Sequence, residues 1–191
     1  TVAAIDKDGQ SRWKPSDNEG SNYGARVDLS APGTALSLSA SSNSGYSNIS
    51  GTSVSAAYVS GAAALLLKKY PSDSSNEIKA RLVSSASAFT TNYSASDALM
   101  GSGVLNADTA LTNKKKPFFS LSKVEIKEQS GGDGDNIIES NEKTALLVKM
   151  KNIGKDAGSV KLTLTTTSVD ADINEGPANL SSIKYNGEIN H

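Results

Sequence analysis

Apolar and polar residues follow two different periods along this chain, and the change falls at Lys114-Lys115-Lys116-Pro117. Before that point, short apolar runs precede helical patterns. Val2-Ala3-Ala4-Ile5 is a compact apolar run that reads as a buried strand. The polar stretch from Lys7 to Gly24 carries Gly9, Pro15 and Gly20 and reads as turns around a short strand at Ser11 to Trp13. Val27 to Leu29 and Leu36 to Ala40 offer two more strands, with Pro32-Gly33 between them. The Ser/Asn/Gly-rich residues from Ser41 to Ser50 read as a turn.

The stretch from Gly51 to Leu67, ended by Pro71, predicts a helix made almost wholly of small and apolar residues. Thr52 or Ser53 is placed to cap it, and Lys68 and Lys69 suit the negative end of its dipole. Alanine, serine and Gly61 cover nearly the whole circumference, so the pattern predicts a helix buried on every side. A second helix begins at Ser74, where Glu77 completes a capping box and Ile78, Leu82 and Ala86 form one apolar face. Lys79 and Arg81 fall on its outer side in this reading. A third, short helix is predicted from Asp108 to Leu111, capped by Asn106.

Three lysines followed by proline do not belong inside an element, so residues 114–117 read as a linker between residues 1–113 and 118–191. Beyond it the period becomes two. Val124 and Ile126 alternate with charged residues; Leu146, Val148 and Met150 lie on one face against Lys149 and Lys151; Val160, Leu162 and Leu164 repeat the pattern. Glycines at 131, 132, 134, 154 and 158 separate these runs, which predicts an antiparallel β-sandwich.

Composition narrows the picture. In 191 residues, 19 basic side chains meet 20 acidic ones, so no net field favours nucleic acid or an anionic surface. The longest apolar run is far too short for a membrane span, and zero cysteines exclude disulfides and thiolate metal sites. Asp133, Asp135, Glu139 and Glu142 put oxygen donors in a glycine loop. The calcium-loop spacing fails there, because Ile137 takes the third ligand position and Thr144 the twelfth, so a plain acidic turn is expected and a structural calcium is not supported. No cofactor is required by any motif; Gly101-Ser102-Gly103 lacks the third glycine and preceding strand of a dinucleotide site. Asn48, Asn92 and Asn179 each open an N-x-Ser glycosylation pattern of the kind that recurs by chance.

Ser53 is the candidate for chemistry. A serine at a helix N-terminus either caps the helix or, next to free N–H groups and the positive end of the dipole, serves as a nucleophile whose oxyanion is stabilised. Spacing alone leaves both readings open. The segment Gly51-Thr52-Ser53 with Val59, Gly61 and the alanines after it resembles the active-serine motif of the subtilisin-like serine proteases. The resemblance extends to Thr1-Val2-Ala3-Ala4-Ile5-Asp6, Ser21-Asn22-Tyr23-Gly24, Val27-Asp28-Leu29-Ser30-Ala31-Pro32-Gly33 and Gly101-Ser102-Gly103-Val104-Leu105-Asn106-Ala107. Two positions depart: the family usually has Pro-His in place of Ala57-Tyr58, and Val54 replaces a common methionine.

What the resemblance implies is a fold of the α/β class, the C-terminal part of a three-layer subtilisin-like domain, with Ser53 as catalytic nucleophile and a secreted endopeptidase acting on protein or peptide substrates. Gly134-Asp135-Asn136 to Glu142 and the later Leu-Val-x-Met-x-Asn resemble bacterial Ig-like modules, implying an accessory sandwich. A serine needs a base, and the chain's lone histidine is His191, its last residue. The family order Asp, His, Ser places the acid, the base and the oxyanion asparagine upstream of residue 1. Opening on an apolar strand, the chain reads as cut from something longer, with the N-terminal half of the catalytic domain as its partner. On that expectation the isolated chain is inactive and exposes faces of the alanine-rich helix and of Val2–Ile5 meant for burial. The alternative is a non-catalytic binding module built on a degenerate protease core, to which Ala57-Tyr58 points.

Overall fold

The computed structural model describes residues 1–39, 41, 44–90, 99–113, 116–135, 137–165, 172–173 and 176–191. The Asn92 glycosylation pattern, Ala40, Lys114, Lys115 and Asn136 lie outside these residues. The chain divides into two units, Thr1–Lys114 and Lys115–His191. Among the described residues no helix is long and apolar enough to cross a membrane.

In the first unit, β1 (Val2–Ile5) pairs in parallel with β2 (Leu29–Pro32), running from Val2 opposite Leu29 to Ile5 opposite Pro32. Ala3, Ala4, Ile5, Leu29, Ser30 and Ala31 are buried, as parallel strands covered on both faces require. Contrary to the expectation of an exposed strand face, only Val2 of β1 is less than fully buried. The strand expected at Ser11 to Trp13 contracts to a single bridge, Ile5 with Arg12, supported by Trp13 N–H donating to Ala4 O at 2.9 Å. Pro15 has no N–H with which to continue the pairing.

The residues read as a turn before the central helix instead form a strand. β3 (Thr34–Leu38) and β4 (Tyr46–Ser50) make an antiparallel hairpin with Thr34 opposite Ser50 and Leu38 opposite Tyr46. Backbone pairing with β3 overrides the weak strand propensity of Ser47, Asn48 and Ser50. Leu36, Leu38 and Tyr46 are exposed on this hairpin.

α1 (Thr52–Lys69) carries Lys68 and Lys69 in its last turn. Its buried side is confined to Val54, Ser55, Ala62 and Leu66. Tyr58, Leu65 and Leu67 are exposed, and a Cβ at Gly61 would meet nothing within 4 Å. Within residues 1–191 the sheet, α2 and α3 cover one stripe only, so burial on every side does not hold there, whereas the expected exposure of faces of the alanine-rich helix does. α2 (Ser75–Ser84) starts with the predicted capping box, Ser74 N–H donating to Glu77 Oε2 at 2.8 Å while Ser74 Oγ accepts from Glu77 N–H at 3.4 Å. α3 (Ala107–Thr112) is capped by Asn106, whose Oδ1 accepts from Thr109 N–H at 2.8 Å. Ala62, Leu66, Ile78, Leu82 and Ala110 form the core where the three helices meet.

Arg81 corrects the outward reading of α2. Its side chain is 8% exposed; Nε donates to Asp73 Oδ2 at 2.7 Å, and the guanidinium lies 3.7 Å from the centroid of the Tyr70 ring. Lys79, half-buried, reaches Asp28 Oδ1 at 2.7 Å. Burial pushes the Asp28 carboxyl up, but the hydrogen bond and charge of Lys79, joined in the 191-residue chain by the Thr1 amino group, outweigh it and hold the carboxyl below its ordinary value. Between α2 and α3, Gly103 adopts φ +136°, and a Cβ there would sit 2.2 Å from Ser87 O. Glycine alone lets this segment run beside β2, where Ser30 N–H donates to Gly103 O at 2.8 Å.

The second unit is all-β among the described residues. β5 (Phe119–Ser130) pairs antiparallel with β6 (Lys143–Asn152), and β6 with β9 (Glu188–Asn190); β7 (Val160–Leu162) pairs with β8 (Ala178–Leu180) in a second, two-stranded sheet. Leu146, Val148 and Met150 are half-buried while Leu147 and Lys149 between them are exposed, as their period predicts. Asn152 is fully buried: Nδ2 donates to the carbonyls of Lys155 (2.8 Å), Ile183 (3.1 Å) and Lys184 (3.3 Å), and Oδ1 accepts from Gly154 N–H (3.1 Å) and Phe118 N–H (3.4 Å).

Candidate active site

Ser53 is the second residue of α1, exposed, just after β4 and Gly51. The approach is fixed by backbone: Gly33 N–H donates to Ile5 O and Gly51 N–H to Gly33 O, each at 2.8 Å. Gly51, at φ +133°, is the N-cap, a conformation open to glycine and strained for other residues.

No side chain caps this helix. The expectation that Thr52 or Ser53 caps it is corrected: both lie inside the helix, one and two positions past the cap, and Val54 N–H is met by Gly51 O at 3.0 Å. Among the described residues neither the Ser53 hydroxyl nor its N–H meets a hydrogen-bonding partner. The site therefore offers an exposed hydroxyl and a first-turn N–H at the positive end of an 18-residue helix, an arrangement that stabilises negative charge developing there.

The neighbouring Ser55 was not singled out by sequence. It is fully buried, and its hydroxyl lies 3.0 Å from both Ala31 O and Pro32 O. Only its spacing, two residues after Ser53 on a helix of small residues, hinted at an inward-facing partner. Trp13 is half-buried, its ring near Gly33, where a Cβ would come within 3.1 Å of Trp13 Cγ. Arg12 stacks on Tyr23, its Cζ 4.9 Å from the ring centroid, and donates to Ser21 O at 3.0 Å. His191 belongs to the second unit, its backbone paired with Val148.

The acidic loop of the second unit groups differently from its sequence reading. Carboxylate oxygens of Glu128, Asp133 and Asp135 lie within 4.8 Å of one another. Glu128, near the end of β5, lies outside the set read from the sequence, and the local fold of the loop after β5 brings it to the two aspartates. Glu139 and Glu142 make a local turn instead, Glu142 Oε2 accepting from Glu139 N–H at 3.1 Å. Glu128 Oε2 accepts from Gly134 N–H and Asp135 Oδ1 from Ile137 N–H, each at 2.7 Å.

Residues 1–114 match the model of the subtilase family of peptidases. The thermostable alkaline protease of Halalkalibacterium halodurans is 35% identical over 109 residues, which is 57% of this chain and 27% of that protein. Subtilisin Savinase of Lederbergia lenta is 39% identical over 90 residues, 47% of this chain and 31% of that one. A solved protease from Pseudoalteromonas arctica superposes with a TM-score of 0.45 at 29% identity, covering 58% of this chain and 34% of the other. The match thus spans 27% and 31% of the lengths of these two relatives.

Proposed function

The chain belongs to the subtilase family, a family of serine proteases, and from that premise we propose that it carries the nucleophile of a secreted endopeptidase, with Ser53 attacking the scissile carbonyl of a protein substrate. The observation that carries the reading is that Ser53 stands exposed at the start of α1 with its hydroxyl committed to no cap. Attack transfers the Ser53 proton to a base and yields a tetrahedral oxyanion near the Ser53 N–H; on collapse the base returns that proton to the departing amine, leaving an acyl-enzyme for water to hydrolyse. The base, its orienting carboxylate and a side-chain oxyanion donor come, in this reading, from the N-terminal half of the catalytic domain, outside residues 1–191. Residues 1–113 are then its C-terminal part, 114–117 a linker and 118–191 an Ig-like accessory domain.

The test is peptide hydrolysis by the full-length protein that contains this chain. Ser53→Ala should lower kcat on the order of 10⁶, the value belonging to subtilisin itself, while the variant stays folded. Labelling by a serine-directed fluorophosphonate should vanish with it. Equal turnover by the variant and the parent would refute the assignment and favour the non-catalytic module.

A further inference from the structure

We propose that Ser55 is a positioning residue for the nucleophile, holding the first turn of α1 in register with the end of β2; this rests on the reading of Ser53 above. Positions two apart on a helix point about 200° away from each other. Ser53 accordingly faces outward while Ser55 faces the sheet and is completely buried. A serine hydroxyl has one proton, so at 3.0 Å from both Ala31 O and Pro32 O it donates a shared bond that straddles the last peptide of β2. The next carbonyl along, Gly33 O, receives Gly51 N–H at 2.8 Å. Three consecutive carbonyls, of Ala31, Pro32 and Gly33, are thus engaged by groups flanking Ser53 on either side.

The consequence is geometric. With no side-chain cap at Gly51, the rotation of the first turn about the helix axis is left to the two buried side chains of that turn, apolar Val54 and hydrogen-bonded Ser55. The Gly51 bond fixes where the chain enters, and the Ser55 bond adds a directional constraint on the rotation that the packing of Val54 does not supply; together they set the direction of the Ser53 hydroxyl. Small displacements of a nucleophile are costly, about 10²-fold for 1 Å. If Ser55 served stability alone, removing its hydroxyl would lower the melting temperature and leave acylation unchanged.

The experiment measures kcat, KM and the rate of fluorophosphonate labelling for the full-length protein and its Ser55→Ala, Ser55→Thr and Asp73→Asn variants. Ser55→Ala is expected to lower kcat and the labelling rate about tenfold, with KM within about twofold. Ser55→Thr, which keeps the donor, should recover most of both rates. Asp73→Asn destabilises the far end of α1 without touching its first turn and should leave both rates unchanged. Should Ser55→Ala fail to accumulate, Ser55→Cys, of similar volume but a weak donor, should show the same loss. Parental labelling rates in the donor-deficient variants, or an equal fall in Asp73→Asn, would overturn the proposal. A fully active Ser53→Ala would separately overturn the nucleophile assignment and with it the need for positioning.

Discussion

Replacing Asp73 by asparagine tests the charge pair that, among the described residues, is the most buried on both sides. Asp73 and Arg81 are 10% and 8% exposed, their Nε–Oδ2 separation is 2.7 Å, and the guanidinium is closed in by the Tyr70 ring at 3.7 Å and by Asn113 O at 3.3 Å. Tyr70 in turn donates to Leu111 O at 2.7 Å, so the pair ties the end of α1 to α2 and α3. Removing one partner of such a pair costs about 3–5 kcal/mol when the remaining charge is left with nothing. Here Arg81 keeps the Asn113 carbonyl, the aromatic face and a neutral amide oxygen, which returns about 1–2 kcal/mol. The expected loss is therefore about 2–3 kcal/mol, or roughly 8–12 °C in melting temperature for a unit of this size. Urea unfolding should show a lower midpoint with an unchanged slope. The double variant Asp73→Asn/Arg81→Met removes both charges and should lose less than the two single variants summed, by about 1–2 kcal/mol. A shift under about 3 °C, or strict additivity, would refute the reasoning.

Two other outcomes follow from single side chains. Asn152→Ala strands the carbonyls and N–H groups that the amide bonds, and should cost the second unit about 3 kcal/mol; Asn152→Asp, which turns donors toward carbonyls into acceptors, should be at least as damaging, and a parental urea midpoint for either would show that the backbone ladders suffice. Asp28 has its pKa lowered in the fold, so the stability it contributes is full above the unfolded value of about 3.9 and is lost as pH falls through the lower folded value. In the 191-residue chain Asp28→Asn should lower stability at neutral pH and flatten that acid limb, and identical melting curves from pH 7 to pH 2 would reject the role assigned to Lys79 and the Thr1 ammonium.

Local pattern was sufficient wherever one short segment contains all the partners an element needs. The capping box of Ser74 and Glu77, the Asn106 cap and the position of α1 were legible because each rests on residues three or four apart or on a proline stop. The change from helical to alternating patterning near residue 114 was legible for the same reason, since period is a property of neighbours. Ser53 at the start of a small-residue helix was readable too, as a motif. Other features depended on distant chain. Tyr46–Ser50 is a strand only because Thr34–Leu38 supplies its hydrogen bonds. Arg81 is buried only because Asp73, Tyr70 and Asn113 converge on it. At the candidate site, the sequence by itself determined which residue stands at the helix start. Tertiary structure alone decided that Gly51 caps the helix, leaving the Ser53 hydroxyl free of that task, and that Ser55 turns inward to carbonyls 23 and 24 residues earlier. The physical reason is that a hydrogen bond between elements is set by where the sheet ends, which no local spacing encodes.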